Sequence, residues 1–432
     1  MGLRILAVDF NSYFASCEMQ DRPELRGRPV GIVPVMAETT CCIAASRQAK
    51  VRGVKVGTGV QEARALCPDI VIVQQRPALY IGYHRRLVAE IEACIHVTAI
   101  KSIDEVECDL TATFAPRDKA EAVARQIKER VARHVGPCLT SSIGIAPNWL
   151  LAKLASDMQK PDGLVVLDDA DIPQKLLALD MTDICGIGPR MDHRLRAHGI
   201  DTVGKLYGAT KATLRGIWGG VEGERMHGRL RGENIPLPQS GQRTLGKTHL
   251  LPPDKRSEAG SLGVLHRMLQ AVAMRLRSIG HFAGGLAVFV NYADGASWGE
   301  EIRLTETQDT LTLTGALNQL WARRPAELRR RKPIQAGVVL NRLLPMRGHT
   351  PDLFDHEQET ARERLHHAVD TLNQTFGNGS VFYGGAFGAK DNAPMRIAFT
   401  RIPTPELEEI DQALCRRVRP RSAAPPSMWE GD

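Results

Sequence analysis

The sequence predicts an α+β chain, and three observations point to it. Short apolar runs alternate with covering helices as far as Leu167. A helical stretch broken repeatedly by glycine follows from Ile172 to Asn234. From Thr244 to Leu343 the pattern is strand, helix, two strands, helix, strand, which is the split β-α-β-β-α-β arrangement. The 432 residues suit two to four domains. With 43% apolar and 24% charged residues the composition is that of an ordinary globular protein with ample core.

In order along the chain, Leu3–Phe10 (LRILAVDF) is an apolar run ending in Asp-Phe, as a buried strand emerging at a sheet edge does. Asn11–Cys67 mixes short helical pieces with Gly and Pro breaks. Ile70–Val73 predicts a strand, and Ala78–Cys94 a helix with Leu87, Ile91 and Cys94 on one face. Ile100–Thr111 alternates polar and apolar residues as a half-buried strand does. In Asp118–Val135, Val123, Ile127 and Val131 recur every four residues, with Asp118 placed to cap the helix and Gly136 to stop it. Strands at Leu139–Ala146 and Gly163–Leu167 flank a helix at Trp149–Gln159. In the last unit the strands are Thr244–Leu251, Gly285–Tyr292, Gly299–Thr305 and Ile334–Leu343, and the helices Ser257–Ile279 and Asp309–Trp321. A tail follows with one helix, Glu357–Phe376, stopped by Gly377-Asn378-Gly379, and then the Arg-, Pro- and Ser-rich Arg416–Asp432, which reads as disordered.

The net charge of +7 is not evenly spread. Gly241–Pro345 holds 15 Lys/Arg against 8 Asp/Glu, and the rest of the chain balances at 41 against 41. One segment therefore carries the whole basic excess, which favours an acidic partner such as nucleic acid or phosphate. The nine cysteines are odd in number and form no C-x-x-C pair, which excludes a disulfide framework and a zinc site. The start of the chain enters a strand at once without a signal peptide's layout, and no apolar run approaches the roughly 20 residues needed to span a membrane. The expectation is a cytoplasmic protein with reduced thiols and no membrane partner.

Asp9 ends the first strand, and Asp104-Glu105 lies far away in sequence within Ser102-Ile103-Asp104-Glu105. Adjacent residues on a regular strand face opposite ways, so Asp104 and Glu105 serve one site only at a strand end or turn. Glu105, Glu107 and Asp109 then alternate with Val106, Cys108 and Leu110, as a strand leaving such a turn should. Three carboxylates at neighbouring strand ends suit hard cations such as Mg²⁺. Two such ions about 4 Å apart activate an attacking oxygen and stabilise a leaving one. On spacing alone, solvated strand-end charges are the preferred reading, because a carboxylate at a strand end need not be functional.

Four motifs resolve this choice by resemblance. Val8–Glu18 (VDFNSYFASCE) and Ser102–Thr111 (SIDEVECDLT) resemble the two palm motifs of the Y-family translesion DNA polymerases, bacterial branch. Ser141–Gly163 (SSIGIAPNWLLAKLASDMQKPDG) and Asp183–Ile200 (DICGIGPRMDHRLRAHGI) are similar to further family motifs in the same order. The likeness runs from Met1 to about Pro345, with a related tail beyond. It implies a right-hand polymerase with small fingers and a helical thumb. The palm is 1–10 with 78–167, the fingers 11–77, the thumb 168–240, the β-α-β-β-α-β little finger 241–345, and the tail 346–432. It also implies that Asp9, Asp104 and Glu105 hold two Mg²⁺ ions, with the Phe10 backbone carbonyl adding another ligand. Family members mostly carry Asp where this chain has Asn11, a position outside the three ligands.

The same register implies groups around the nucleotide. Phe14, five residues after Asp9 and beside Tyr13, falls where an aromatic lies under the incoming sugar and blocks a 2′-hydroxyl; a ring simply packed in the core is the bland alternative. Arg47 and Lys50 stand where the family usually has Tyr and Arg on the triphosphate, and Lys50 keeps the charge without the bidentate fork. Lys160 in Gln159–Gly163 matches a triphosphate lysine, although a Lys before Pro is equally a solvated helix end.

Cys185-Gly186-Ile187-Gly188-Pro189 has the form of a helix-hairpin-helix turn. There Gly186 and Gly188 let the backbone approach a phosphate, and Pro189 opens the second helix. Arg323-Arg324 and Arg329-Arg330-Arg331-Lys332 cluster near the second helix of the little finger and imply a salt-dependent grip on DNA phosphates without base reading. Leu353-Phe354, within Thr350–Phe354, resembles the pentapeptide that docks on the sliding clamp, with Thr350 in place of the usual Gln.

The reading is a monomeric, error-prone, template-directed polymerase acting on primer-template DNA and deoxynucleoside triphosphates. Its rivals are a catalytically inactive DNA-binding adaptor, against which the three carboxylates and Phe14 argue, and a metal-dependent nuclease or cyclase, which has no use for the other units.

Overall fold

The computed structural model describes residues 2–236, 243–349, 356–376 and 379–389. Three sheets and a helical cluster make up the fold. The first sheet has the order β5-β6-β1-β7-β8, formed by β1 (Ile5–Phe10), β5 (Val97–Ile100), β6 (Glu105–Asp109), β7 (Ser141–Ala146) and β8 (Leu164–Val166). All its pairings are antiparallel except β7 with β8. Alternation along β1 decides what each face meets. Leu6, Val8 and Phe10 join the core under α4 (Pro77–Glu92) and α5 (Arg117–His134), while Ile5 and Ala7 join the core of α6 (Trp149–Met158). Asp9 has the parity of Ile5 and Ala7 and so belongs to the α6 face.

Between β1 and α4 the chain forms α1 (Tyr13–Asp21), then the small sheet β3-β2-β4 with β2 (Val30–Val33), β3 (Ala44–Ala45) and β4 (Val71–Gln74). The helices α2 (Arg47–Val51) and α3 (Val60–Leu66) belong to this unit, whose own small core includes Val33, Cys42, Val54 and Val60. After β8 come α7 (Gln174–Leu177), α8 (Pro189–Ala197), α9 (Val203–Gly208), α10 (Lys211–Trp218) and α11 (Val221–Leu230). Their apolar residues share one core with the outer face of α6.

The third sheet is antiparallel with the order β11-β10-β12-β9, from β9 (Thr244–Leu250), β10 (His281–Tyr292), β11 (Ser297–Thr307) and β12 (Pro333–Pro345). The helices α12 (Glu258–Ser278) and α13 (Thr310–Ala322) cover it, and α14 (Ala326–Arg329) follows. The expected β-α-β-β-α-β order is therefore observed. The tail helix α15 (His356–Phe376) returns to this unit: Asp370 pairs with Arg277 at 2.7 Å, and buried His366 meets Asp309 at 2.6 Å.

Three local expectations are corrected. The run Ile100–Thr111 is not one strand: β5 ends at Ile100 and β6 starts at Glu105, with a bend between them. Asp118 does not cap α5; Pro116 occupies that position and Asp118 sits in the first turn, where its charge still favours the helix dipole. Arg324 is not a surface cation. Its side chain is 1% exposed, stacked 3.5 Å from the Trp321 ring centroid and ion-paired with Glu258; a guanidinium is weakly hydrated, and the carboxylate and aromatic face offset its burial although Nε has no hydrogen-bond partner. No described helix is long and apolar enough to cross a membrane. Leu353, Phe354 and Arg416–Asp432 lie outside the described residues.

Candidate active site

The three carboxylates converge at the sheet edge. Antiparallel register sets Asp9 of β1 directly opposite Glu105 of β6, so the two side chains share the α6 face. One residue earlier the Asp104 carbonyl accepts the Phe10 N–H at 2.9 Å, which fixes Asp104 in the bend just before β6. Asp104 and Glu105 thus serve one site because the strand begins between them. The Ser102 hydroxyl donates to Asp104 at 2.5 Å and steadies that bend.

Two lysines meet these acids. α6 approaches the sheet closely because Gly144 of β7 has no side chain: a Cβ there would collide with the Ala152 carbonyl and the Ser156 N–H. That approach lays Lys153 over Asp9 and 3.0 Å from Glu105, and its ammonium also meets Asp157 at 3.2 Å. Lys160 reaches Asp9 at 2.7 Å and Asp157 at 2.7 Å. The loop carrying Lys160 is held by Asn11, whose side-chain oxygen accepts the Asp162 N–H at 2.8 Å and whose amide donates to Ser142 at 3.0 Å. Asn11 is thus a buried tie between β1, β7 and this loop. Lys153 and Asp157 were not singled out in the sequence, although their i, i+4 spacing sets them on one face of α6, with Lys160 in the turn just beyond its end.

The electrostatics describe a site in need of positive charge. Burial holds the Asp104 carboxyl above the usual carboxylate range, and the charge of Asp9 adds to this. Burial also raises Glu105, against the lowering effect of Lys153. Lys50 is exposed as a residue. Partial desolvation first, and the like charge of Lys160 second, lower its pKa, while Asp9 and Asp104 act the other way. Lys50 is thus within electrostatic reach of Lys160 and the carboxylates. Arg47 stands at the exposed first turn of α2, behind the Ser46 cap. Among the described residues no group of three His, Cys, Asp or Glu forms a ready metal cage. Here an ammonium lies between Asp9 and Glu105, and the all-oxygen donors with their mutual repulsion fit a hard divalent cation in the same place.

The remaining residues named from the sequence fall in different surroundings. Phe14 is in the first turn of α1, 4% exposed and stacked on Tyr80, with Tyr13 packed at 5.9 Å. Gly186 adopts a left-handed φ of 92° that favours glycine, and Gly188 precedes Pro189 at the start of α8 with open space where a side chain would stand. Arg323 and Arg330 are exposed, and Arg331 is partly engaged by Asp294 at 2.6 Å. Arg324 is withdrawn from any DNA face by the burial described above.

Comparison with known proteins agrees with this geometry. Residues 8–157 match the model of the impB/mucB/samB family, and residues 242–353 match the model of that family's C-terminal domain. The chain is 34% identical over 400 residues to DNA polymerase IV of Moorella thermoacetica, covering 88% of this chain and 98% of the relative. It is 32% identical over 393 residues to DNA polymerase IV of Pelotomaculum thermopropionicum, covering 88% and 94%. A solved Y-family DNA polymerase chimera of Dbh and Dpo4 shares the fold with a TM-score of 0.66 at 22% identity, over 79% of this chain and 99% of that one. An insertion ternary complex of Dbh DNA polymerase gives 0.53 at 22% identity over the same shares. With its right-hand fold and its carboxylates gathered at the end of β1, the chain belongs to the impB/mucB/samB family, the Y-family translesion DNA polymerases.

Proposed function

We propose that this chain extends a primer 3′ end from deoxynucleoside triphosphates on a DNA template, error-prone and tolerant of lesions, with Asp9, Asp104 and Glu105 as its catalytic carboxylates. The observation that carries the reading is the register that sets Asp9 opposite Glu105 and hydrogen-bonds Asp104 beside Phe10. The residues that would hold two Mg²⁺ ions are Asp9, Asp104, Glu105 and the Phe10 carbonyl. Bound there, the ions supply Lewis-acid activation of the attacking 3′-oxygen and stabilisation of the departing pyrophosphate. The protein's own cations do the rest. Lys160 is paired with Asp9, and a triphosphate entering that space exchanges this carboxylate contact for phosphate ones, with the Lys50 ammonium within electrostatic reach. Arg47, on the same short helix as Lys50, extends the cationic wall. Phe14, five residues after Asp9 and packed against Tyr13, forms the floor beneath the sugar.

In this reading the first sheet is the palm, residues 11–77 the fingers, 168–240 the thumb and 241–345 the little finger. Gly186 and Gly188 present backbone N–H groups to a DNA phosphate, and Arg323, Arg330 and Arg331 supply salt-dependent contacts. The protein works as a monomer in the cytoplasm, and Leu353-Phe354 docks it on a sliding clamp. Primer extension with and without Mg²⁺ tests the reading. Extension that depends on Mg²⁺ and follows the template is expected, and DNA binding without extension overturns it in favour of an adaptor.

A further inference from the structure

One fully buried carboxylate has no part in the chemistry above. Glu18 of α1 has a side chain with 0% exposure. A carboxylate so placed persists only when its charge and acceptors are met. Arg76, just before α4, forks onto it: Nε donates to the two oxygens at 3.0 and 3.1 Å, and a terminal nitrogen donates at 2.5 Å. The same guanidinium reaches Asp21 at 2.7 Å, which holds it in place from the other side. The Tyr80 hydroxyl donates to Glu18 at 2.9 Å.

Tyr80 is the point of contact with the nucleotide pocket. Its ring is stacked on Phe14, with centroids 4.5 Å apart and planes 14° from parallel. Its backbone carbonyl accepts the Tyr13 hydroxyl at 2.6 Å. The chain Arg76–Glu18–Tyr80 therefore ends flat against the ring taken above as the sugar gate. Exclusion by clash depends on how firmly the gate is held. A ring that can recede admits the extra oxygen. Phe14 has no polar group of its own to anchor it, so resistance comes from the groups packed on it, among them the tilted Tyr13 ring and the Tyr80 ring, which lies flat against it and is anchored through its hydroxyl.

We propose that Glu18 and the Tyr80 hydroxyl are positioning residues for sugar discrimination: they fix the Tyr80 ring and so deny Phe14 room to retreat from a ribonucleotide. The inference rests on the reading of Phe14 as gate. Neither group touches substrate, and both act through the Phe14 ring.

The test is single-nucleotide insertion of matched deoxy- and ribonucleoside triphosphates by the full chain and three variants. Tyr80→Phe removes one oxygen and leaves the stack and the Glu18–Arg76 pair in place. It is expected to lower the deoxy/ribo ratio of kcat/KM about tenfold, the weight of one hydrogen bond to a charged group, chiefly through a lower ribonucleotide KM. Glu18→Gln keeps an acceptor for Tyr80 and loosens Arg76, and its ratio is expected between those of wild type and Tyr80→Phe. A merely structural role lowers both substrates together and leaves the ratio unchanged; that result in Tyr80→Phe overturns the inference, whether or not Glu18→Gln folds. Phe14→Ala separates the two levels. If it leaves the ratio unchanged, the gate reading fails and this inference with it. If Phe14→Ala collapses the ratio while Tyr80→Phe keeps the wild-type value, only the positioning role fails.

Discussion

Replacing Arg324 with alanine distinguishes a structural arginine from a DNA contact. The side chain is 1% exposed, its guanidinium lies 3.5 Å from the Trp321 ring centroid, and it pairs with Glu258 in the first turn of α12. A desolvated cation–π contact contributes about 2 kcal/mol. A hydrogen bond to a charged group contributes about 1.5–3 kcal/mol, taken at the low end because the Glu258 side chain is 46% exposed and partly screened. Together they put the loss at about 3.5 kcal/mol. In a unit of about 100 residues each kcal/mol moves the midpoint by about 4–8 °C, so the transition of the β9–β12 unit should fall by more than about 10 °C. No phosphate contact is lost. The slope of log K against log[salt] for DNA binding, measured below the variant's transition, should therefore match wild type. Arg330→Ala should instead flatten it by about 0.9 while leaving the midpoint alone. Calorimetry and a salt titration of binding read both quantities. An Arg324→Ala protein with an unchanged midpoint and a flattened slope refutes the assignment.

Asp104→Ala should cut kcat for primer extension by about a thousandfold or more while DNA affinity stays at the wild-type level, since the carboxylate serves only the reacting groups; insertion kinetics and a binding titration check this. His84 is buried with Nδ1 on the Ile103 carbonyl at 2.8 Å, and burial pushes its pKa down to about 4. The folded protein therefore keeps it neutral while the unfolded chain protonates below about 6.5, so stability is lost as pH falls; denaturant titrations at pH 7 and 5 should show wild type losing about 2 kcal/mol more than His84→Gln. Asn148→Ala removes the cap of α6 and strands two buried carbonyls, and should lower stability by about 2–4 kcal/mol by denaturant titration. Double alanine substitution of Leu353 and Phe354 should abolish stimulation by a loaded clamp and leave clamp-free synthesis unchanged.

The sequence made legible what local periodicity governs. The adjacency of Asp104 and Glu105 called for a strand end or turn, and the alternation of Glu105–Asp109 for a strand leaving it; β6 starts at Glu105 accordingly. The order of the last unit followed from strand and helix lengths alone. What stayed hidden was set by tertiary approach. Lys153 lies on the acids only because Gly144 lets α6 descend onto β7, a fact carried by two segments rather than one. Arg324 looked like its exposed neighbours in a basic cluster. The available signal was Trp321 three residues earlier, in the last turn of α13, whose ring meets the guanidinium once the chain folds back past the helix end. The bend between β5 and β6 did leave a signal: the polar–apolar alternation breaks at Lys101-Ser102 and again at Asp104-Glu105, and it is regular only from Glu105 onward.

α6 has a double attachment that ties the carboxylates proposed as catalytic to the helical unit. One side of the helix packs on β7 and β1 and carries Lys153 to Asp9; the other shares its core with α7–α11. Its start is pinned by Asn148, whose oxygen accepts the Leu151 N–H at 3.0 Å while its amide donates to the carbonyls of Arg229 at 2.7 Å and Glu233 at 3.0 Å, beyond the end of α11. A capping residue spends its acceptor on its own helix, so using both amide protons on another element makes Asn148 a rigid joint rather than a local cap. A displacement of the helices that bear Gly186 and Gly188 cannot leave α6 unmoved, and any movement of α6 changes the distance from Lys153 to Asp9 and Glu105. The unit proposed to hold the duplex is thereby mechanically continuous with the helix that supplies positive charge to the carboxylates, through packed side chains and one doubly bonded asparagine.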